Sequence, residues 1–137
     1  MIEEYAGSLP FDLGFQGFAD ELASLPGDYA PPAGRLLVAR TGGRSIGCVA
    51  LRRLDAGYAE LKRLWVRPEG RGSGAGRMLV AAAIDAARAA GHAAVRLDTT
   101  PGMEAAQALY VSFGFVEIAP YRANPVPGTR YLELAIR

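Results

Sequence analysis

The chain has almost none of the residues that build covalent or metal-held folds. Cys48 is its only cysteine and His92 its only histidine. No disulfide can therefore close within the chain. A lone thiol inside the apolar run from Ile46 to Leu51 reads as a buried, inert side chain in a reducing compartment. No grouping of histidine, cysteine and carboxylates has metal-ligand spacing, so no metal site is expected. Charge of one sign is equally scarce: fifteen Lys plus Arg face fourteen Asp plus Glu, a formal net charge of +1. That balance lacks the broad basic face of a general nucleic-acid binder, so any anion site must be local. Apolar runs fall short of the roughly 18–20 residues of a membrane span. The N-terminus has no basic start followed by an apolar middle. The expectation is a cytoplasmic protein that uses neither membrane nor nucleic acid as partner.

What is present is ordinary globular material. Of the 137 residues, 50% are hydrophobic and 21% charged, enough to build a core without staples. The length suits one domain spanning residues 1–137. Phe11, Phe15, Phe18, Leu22 and Leu25 recur at helical spacing, and Pro26-Gly27 ends that pattern. Leu36–Arg40 and Ser45–Arg53 read as strands joined by a tight turn at Gly42-Gly43. Asp55-Ala56-Gly57 turns the chain into a third strand, Tyr58–Val66, making an antiparallel meander that Pro68 stops. A helix over Gly74–Ala90 follows, capped by Gly91, and then a strand over Ala93–Thr99 that should pair in parallel. Pro101 is placed to start a second helix that runs to Gly114. Phe115–Ala119 and Arg130–Ile136 read as a final antiparallel pair around a proline-rich loop. The fold class is thus α/β, with a mixed sheet.

The chain is organised around Arg71-Gly72-Ser73-Gly74-Ala75-Gly76, between the third strand and the long helix. Glycines let backbone N–H groups converge on one point, and a helix N-terminus adds its partial positive charge, so the stretch suits phosphate. A Walker-type loop would need Lys and then Ser or Thr after its last glycine, where Arg77-Met78 stand. Gly70-Arg71-Gly72-Ser73-Gly74-Ala75 also fits the dinucleotide fingerprint G-x-G-x-x-A, with Asp98 ending the next strand. The meander before it, however, is not the repeated parallel unit that such a fold requires.

The same loop has the form [RQ]-x-x-G-x-[GA] and resembles the coenzyme A pyrophosphate loop of the GNAT family of N-acetyltransferases. The flanks agree: Leu64-Trp65-Val66 with Pro68 before it, and Ala106-x-x-Leu109-Tyr110-x-x-x-Gly114-Phe115 after it. The likeness covers about Leu36 to Ile136, and ELKRLWVRPEGRG with PYRANPVPG looks like a bacterial subgroup of small members. The resemblance implies a centrally splayed sheet with flanking helices, here without the family's first strand. An exposed sheet edge there would favour a homodimer.

It further implies acetyl-CoA as co-substrate, with the pyrophosphate on backbone N–H groups around Arg71, Gly72, Gly74, Ala75 and Gly76. The pantetheine arm would lie along the backbone of Leu64 and Val66. The reaction implied is direct acetyl transfer to a primary amine of a small molecule. A coenzyme A-binding module without turnover is the alternative from another class. Glu60 corresponds to a general-base glutamate of some members, or is a structural partner of a nearby cation. Alternation places it on one strand face with Leu64 and Val66, and with Lys62 rather than Arg63. Tyr110 corresponds to the general acid toward sulfur, or is a core aromatic. Phe15, Gln16, Tyr121, Arg122 and Asn124 are the acceptor-pocket residues that the resemblance implies, Arg122 with Asn124 suiting a carboxylate. One departure stands out: Met103 occupies the position where many members place a pantetheine-binding asparagine, which shifts the grip toward Thr99 or Thr100. His92, after the helix cap, reads as structural.

Overall fold

A computed structural model describes residues 34–55 and 57–137. The early helix, and with it Phe15, Gln16 and the expected loss of a first strand, lie outside these described residues. Strands β1 (Arg35–Thr41) and β2 (Arg44–Asp55) form a hairpin whose turn glycines, Gly42 and Gly43, take φ of 57° and 78°. Two successive positive φ values match the right-handed twist of the flanking strands, which is why paired glycines sit there. Strand β3 (Tyr58–Val66) completes the meander. Helix α1 (Ala75–Ala89) carries the chain over to β4 (Ala94–Thr99), which pairs with β3 in parallel. Helix α2 (Glu104–Phe113), β5 (Val116–Ile118) and β6 (Arg130–Ala135) follow. Strand order is β1-β2-β3-β4-β6-β5, so the last strand inserts between β4 and β5.

The second helix begins at Glu104, not at Pro101 as the sequence predicts. Gly102 adopts φ 93° and the Met103 N–H bonds to the Thr100 carbonyl at 3.2 Å, so Pro101-Gly102 forms a turn before the helix. Both helices end as read. Gly91 (φ 85°) and Gly114 (φ 100°) are left-handed, and the next residues, His92 and Phe115, return their N–H groups to the carbonyls of Ala87 and Tyr110. These are paired C-terminal caps that satisfy carbonyls otherwise left without partners.

The register divides the sheet into two unlike faces. Val49, Leu51, Leu61, Val95, Leu97 and Leu132 point to one side and pack with Leu79, Val80 and Ala83 of α1 and with Tyr110 and Phe115. Partners across the sheet on the other side are Arg52, Glu60, Lys62, Arg96, Asp98 and Glu133. The ladder shifts register between Ala39 and Arg40, between Arg53 and Asp55, and between Cys48 and Ala50, the last beside the cleft-lining end of β3. Cys48 pairs with Trp65 but Ala50 with Lys62, so Val49 faces two residues, Arg63 and Leu64. This β-bulge gives Arg63 a φ of 61°, the one positive value among described non-glycine residues. A left-handed side-chain-bearing residue costs about 1–2 kcal/mol. The buried Cys48 thiol donates to the Arg63 carbonyl at 3.3 Å, giving the bulge an added tie. The bulge also corrects the expected strand face. Glu60 and Lys62 share their side with Trp65, whereas Leu64 joins the core and Val66 pairs with Gly47 on the core side.

Candidate active site

Pairing between β3 and β4 covers only Tyr58–Ala94, Ala59–Val95 and Glu60–Arg96. Beyond these pairs the two strands have no shared ladder, so β3 from Leu61 to Val66 has no backbone partner in β4. Such an edge accepts an extended chain as if it were a further strand. A cleft of about 670 Å³ opens along it, lined by Leu64, Trp65, Val66, the loop from Gly70 to Gly76, and Met103, Ala105, Ala106 and Leu109 of the α2 region. That volume lies within the usual range for a small-molecule site.

At the loop end, Pro68–Gly70 forms a 3₁₀ turn and Gly74 leads into α1 with φ 87°. Gly72 is also left-handed, at 80°. Within the loop, the N–H groups of Gly70, Arg71 and Ser73 bond to the carbonyls of Arg67, Pro68 and Gly70. The N–H groups that open α1 have no preceding turn to bond to, and they carry the positive end of its dipole. An ideal Cβ at Gly72 or Gly74 would meet no atom within 4 Å, so the Cβ side of both residues is open. The loop thus fits a diphosphate. The Arg71 side chain does not extend outward; its Nε donates to the Val66 carbonyl at 3.1 Å and its guanidinium lies 4.7 Å over the Trp65 ring.

On the polar face of the sheet, Glu60 is fully buried. Its Oε1 accepts from Arg52 Nε and Nη2, each at 2.9 Å. Its Oε2 accepts from the Tyr121 hydroxyl at 2.8 Å and from Arg122 Nη2. Burial pushes the Glu60 carboxyl up, but the charge of Lys62, the Arg122 hydrogen bond and the charges of Arg122 and Arg52 outweigh it, leaving the group below its ordinary value. The same burial and carboxylate push Tyr121 well above the usual phenol range. The loop between β5 and β6 is folded down onto this face. Tyr131 donates to the Arg122 carbonyl at 2.9 Å and stacks edge-on against Tyr121 at 5.2 Å. Asn124 donates to Asp98 at 3.4 Å and accepts from the Val126 N–H at 2.9 Å.

The expected site residues therefore separate into two groups. Leu64, Val66, Arg71, Gly72, Gly74, Ala75 and Gly76 all border the cleft. Glu60, Tyr121 and Arg122 form one interlocked cluster, and Asn124 holds Asp98 beside it rather than forming a fork with Arg122. Trp65 also lines the cleft, and Arg52 also holds Glu60, both beyond the expected site residues. For Arg52 the sequence carried no signal: with Asp55 opposite Tyr58 an unbroken hairpin would set Arg53 against Glu60, and the register shift between Arg53 and Asp55 brings Arg52 there instead.

The family model for the acetyltransferase (GNAT) family matches residues 2–115. The chain belongs to this family. An uncharacterised N-acetyltransferase of Schizosaccharomyces pombe is 41% identical over 136 residues, covering 98% of this chain and 83% of the relative. The likeness therefore extends beyond the bacteria to which the motif runs pointed. A GNAT acetyltransferase from Staphylococcus aureus has the same fold, with TM-score 0.78 at 20% identity, covering 98% of this chain and 85% of that one. Another, from Elizabethkingia anophelis, was solved with acetyl-CoA bound; it aligns with TM-score 0.67 at 18% identity, covering 88% and 82%.

In this acetyltransferase the cleft residues fit coenzyme A: an edge for the pantetheine amides, a backbone cradle for the pyrophosphate and an indole at the junction. One buried side-chain hydroxyl, that of Thr99 at the end of β4, has no hydrogen-bond partner. Met103 lines the cleft with an apolar side chain. Tyr110 is buried with its ring 5.6 Å from that of Phe115, one residue after the cleft-lining Leu109. Among the described residues, no helix is long and apolar enough to cross a membrane.

Proposed function

We propose that this GNAT protein transfers the acetyl group of acetyl-CoA directly to a primary amine of a small molecule, within a ternary complex and as one domain. The observation that supports it best is the junction between the two halves of the site. β3 leaves β4 after Glu60, the centre of a charged, side-chain-built face, and from Leu64 on the same strand lines the cleft.

Bound acetyl-CoA supplies an acyl carbon activated as a thioester. The loop from Gly70 to Gly76 holds the diphosphate through N–H groups and the α1 dipole. The free edge of β3 orients the pantetheine arm, and a strand N–H aimed at the carbonyl stabilises charge that develops on its oxygen. The Thr99 hydroxyl takes over part of the grip that Met103 lacks. Tyr110 is the acid toward the departing sulfur. Glu60 holds Arg52, Tyr121 and Arg122 in place and so shapes the acceptor pocket, because both its oxygens already accept and its depressed pKa makes it a weak base.

Release of free thiol from acetyl-CoA over a panel of small amines, amino acids and a lysine peptide tests the proposal. Turnover with a small amine above the peptide is expected. Thermal stabilisation by CoA without thiol release for any acceptor favours the binding module. Absence of stabilisation by CoA removes both readings.

A further inference from the structure

Amine acetylation needs a base, because an alkylammonium has no lone pair with which to attack. Glu60, the carboxylate suggested for that task by resemblance, is saturated by two arginines and a tyrosine. Beside it stands Lys62, on the same face of β3 and next before the bulge that separates it from Trp65 at the cleft. Its side chain is 8% exposed, and no hydrogen bond or ion pair joins it to the described residues. The charged groups of the described elements around it are Arg52 of β2, Glu60 and Arg63 of β3, and Arg122 of the loop over the face. Asp98 of β4 shares the face and is held by Asn124.

The sequence adds an independent point. Lys62 is the one lysine of the chain; each of the other Lys-plus-Arg residues is arginine. Arginine stays charged at any accessible pH, whereas a buried lysine readily gives up its proton. The single amine side chain thus lies on β3 two residues before Leu64, where the strand begins to line the cleft. An ammonium largely withdrawn from water is disfavoured against its neutral form. Burial, with the charges of Arg63, Arg52 and Arg122 acting against that of Glu60, lowers the Lys62 pKa to about 8.

We infer that Lys62 is the base of the reaction, the group that takes the proton from the ammonium form of the acceptor. The inference rests on the acetyl transfer proposed above. Neutral Lys62 accepts one proton from the acceptor ammonium. The lone pair so released forms the new C–N bond at the thioester carbonyl carbon, and the C–S bond breaks with its pair on sulfur. The nitrogen sheds its second proton, which ends on sulfur as free thiol, and Lys62 returns its own proton to solvent. One ammonium and one thioester thus yield one amide, one thiol and one proton.

A single lysine makes the test direct. Protein labelled with ¹³C-lysine reports Lys62 alone through its ε-carbon, with no acceptor present. A titration midpoint near the lowered value of about 8 is expected. A midpoint at or above the ordinary 10.5 overturns the inference. In the thiol-release assay, Lys62→Arg keeps the charge and removes the base. It should lower kcat/KM at neutral pH roughly 100-fold and abolish the acidic limb of the pH profile, with the CoA-induced thermal shift unchanged. Lys62→Met, which removes a buried charge, should fold at least as stably and be equally slow. Full turnover in either variant sinks the inference. So does a loss confined to KM for carboxylate-bearing amines, which would make Lys62 an anion anchor. Thiol release with no amine at all fails the acetyl-transfer reading itself, and the ¹³C midpoint still reports whether Lys62 is able to act.

Discussion

The two halves of the site are built from different parts of the chain. The cleft proposed for coenzyme A is mostly backbone: a free strand edge, glycines with left-handed φ and the first turn of a helix. The face proposed for the acceptor is mostly side chains, with Glu60 joined to Arg52 across a hairpin and to Tyr121 and Arg122 from a loop some sixty residues on. A backbone site tolerates many side chains but few changes of conformation. A side-chain cluster tolerates modest movement but not the loss of a charge. The difference teaches where each half is vulnerable.

Glu60→Gln should break the contrast most severely. Removing one partner of a buried charge cluster costs about 3–5 kcal/mol, so Tm should fall sharply while the cleft sequence is untouched. The sign of the pH dependence follows from the depressed carboxyl. Its contribution is present above the unfolded value of 4.5 and is lost as pH falls through the lower folded value. Denaturant melts of the two proteins should therefore converge in strong acid. Equal stability at neutral pH would mean that the cluster is not held through this carboxylate.

Tyr110→Phe comes next and probes the join between the halves. It should lower kcat roughly 100-fold, with the CoA-induced thermal shift nearly unchanged. Unaltered kcat would return Tyr110 to the core, where its packing with Phe115 already places its ring. Gly74→Val is the backbone counterpart: left-handed φ strains any branched residue by about 1–2 kcal/mol, and the added side chain enters the space before α1. CoA affinity should drop about tenfold, a smaller loss that isothermal titration resolves. The smallest effect belongs to Arg44→Ala. Its pair with Glu69 at 2.8 Å is exposed on both sides, so a change under about 0.5 kcal/mol in a denaturant melt is expected.

Legibility in the sequence followed the same division. The loop, the caps at Gly91 and Gly114 and the meander could be read because each depends on residues close together in the chain. The bulge at Arg63 could not be read, since nothing in ELKRLWV announces an extra residue on β3. Period-two alternation therefore placed Leu64 and Val66 with Glu60, when the register sends them to the core side. Arg122 and Asn124 were legible as polar residues of a proline-rich loop, but their partners were not. Glu60 and Asp98 reach them through the fold, at separations of 62 and 26 residues.

By itself the sequence determined a glycine-rich turn between strand and helix, a mixed α/β sheet and a single lysine among arginines. These follow from local conformational rules and from composition. Only the tertiary structure decided that β3 parts from β4 after Glu60, that Glu60 is filled on both oxygens, and that Lys62 is buried beside it without a hydrogen-bonding partner among the described residues. The reason is electrostatic. A carboxylate beside open water and one locked among two arginines and a tyrosine read identically as a letter, yet only the first is free to take a proton.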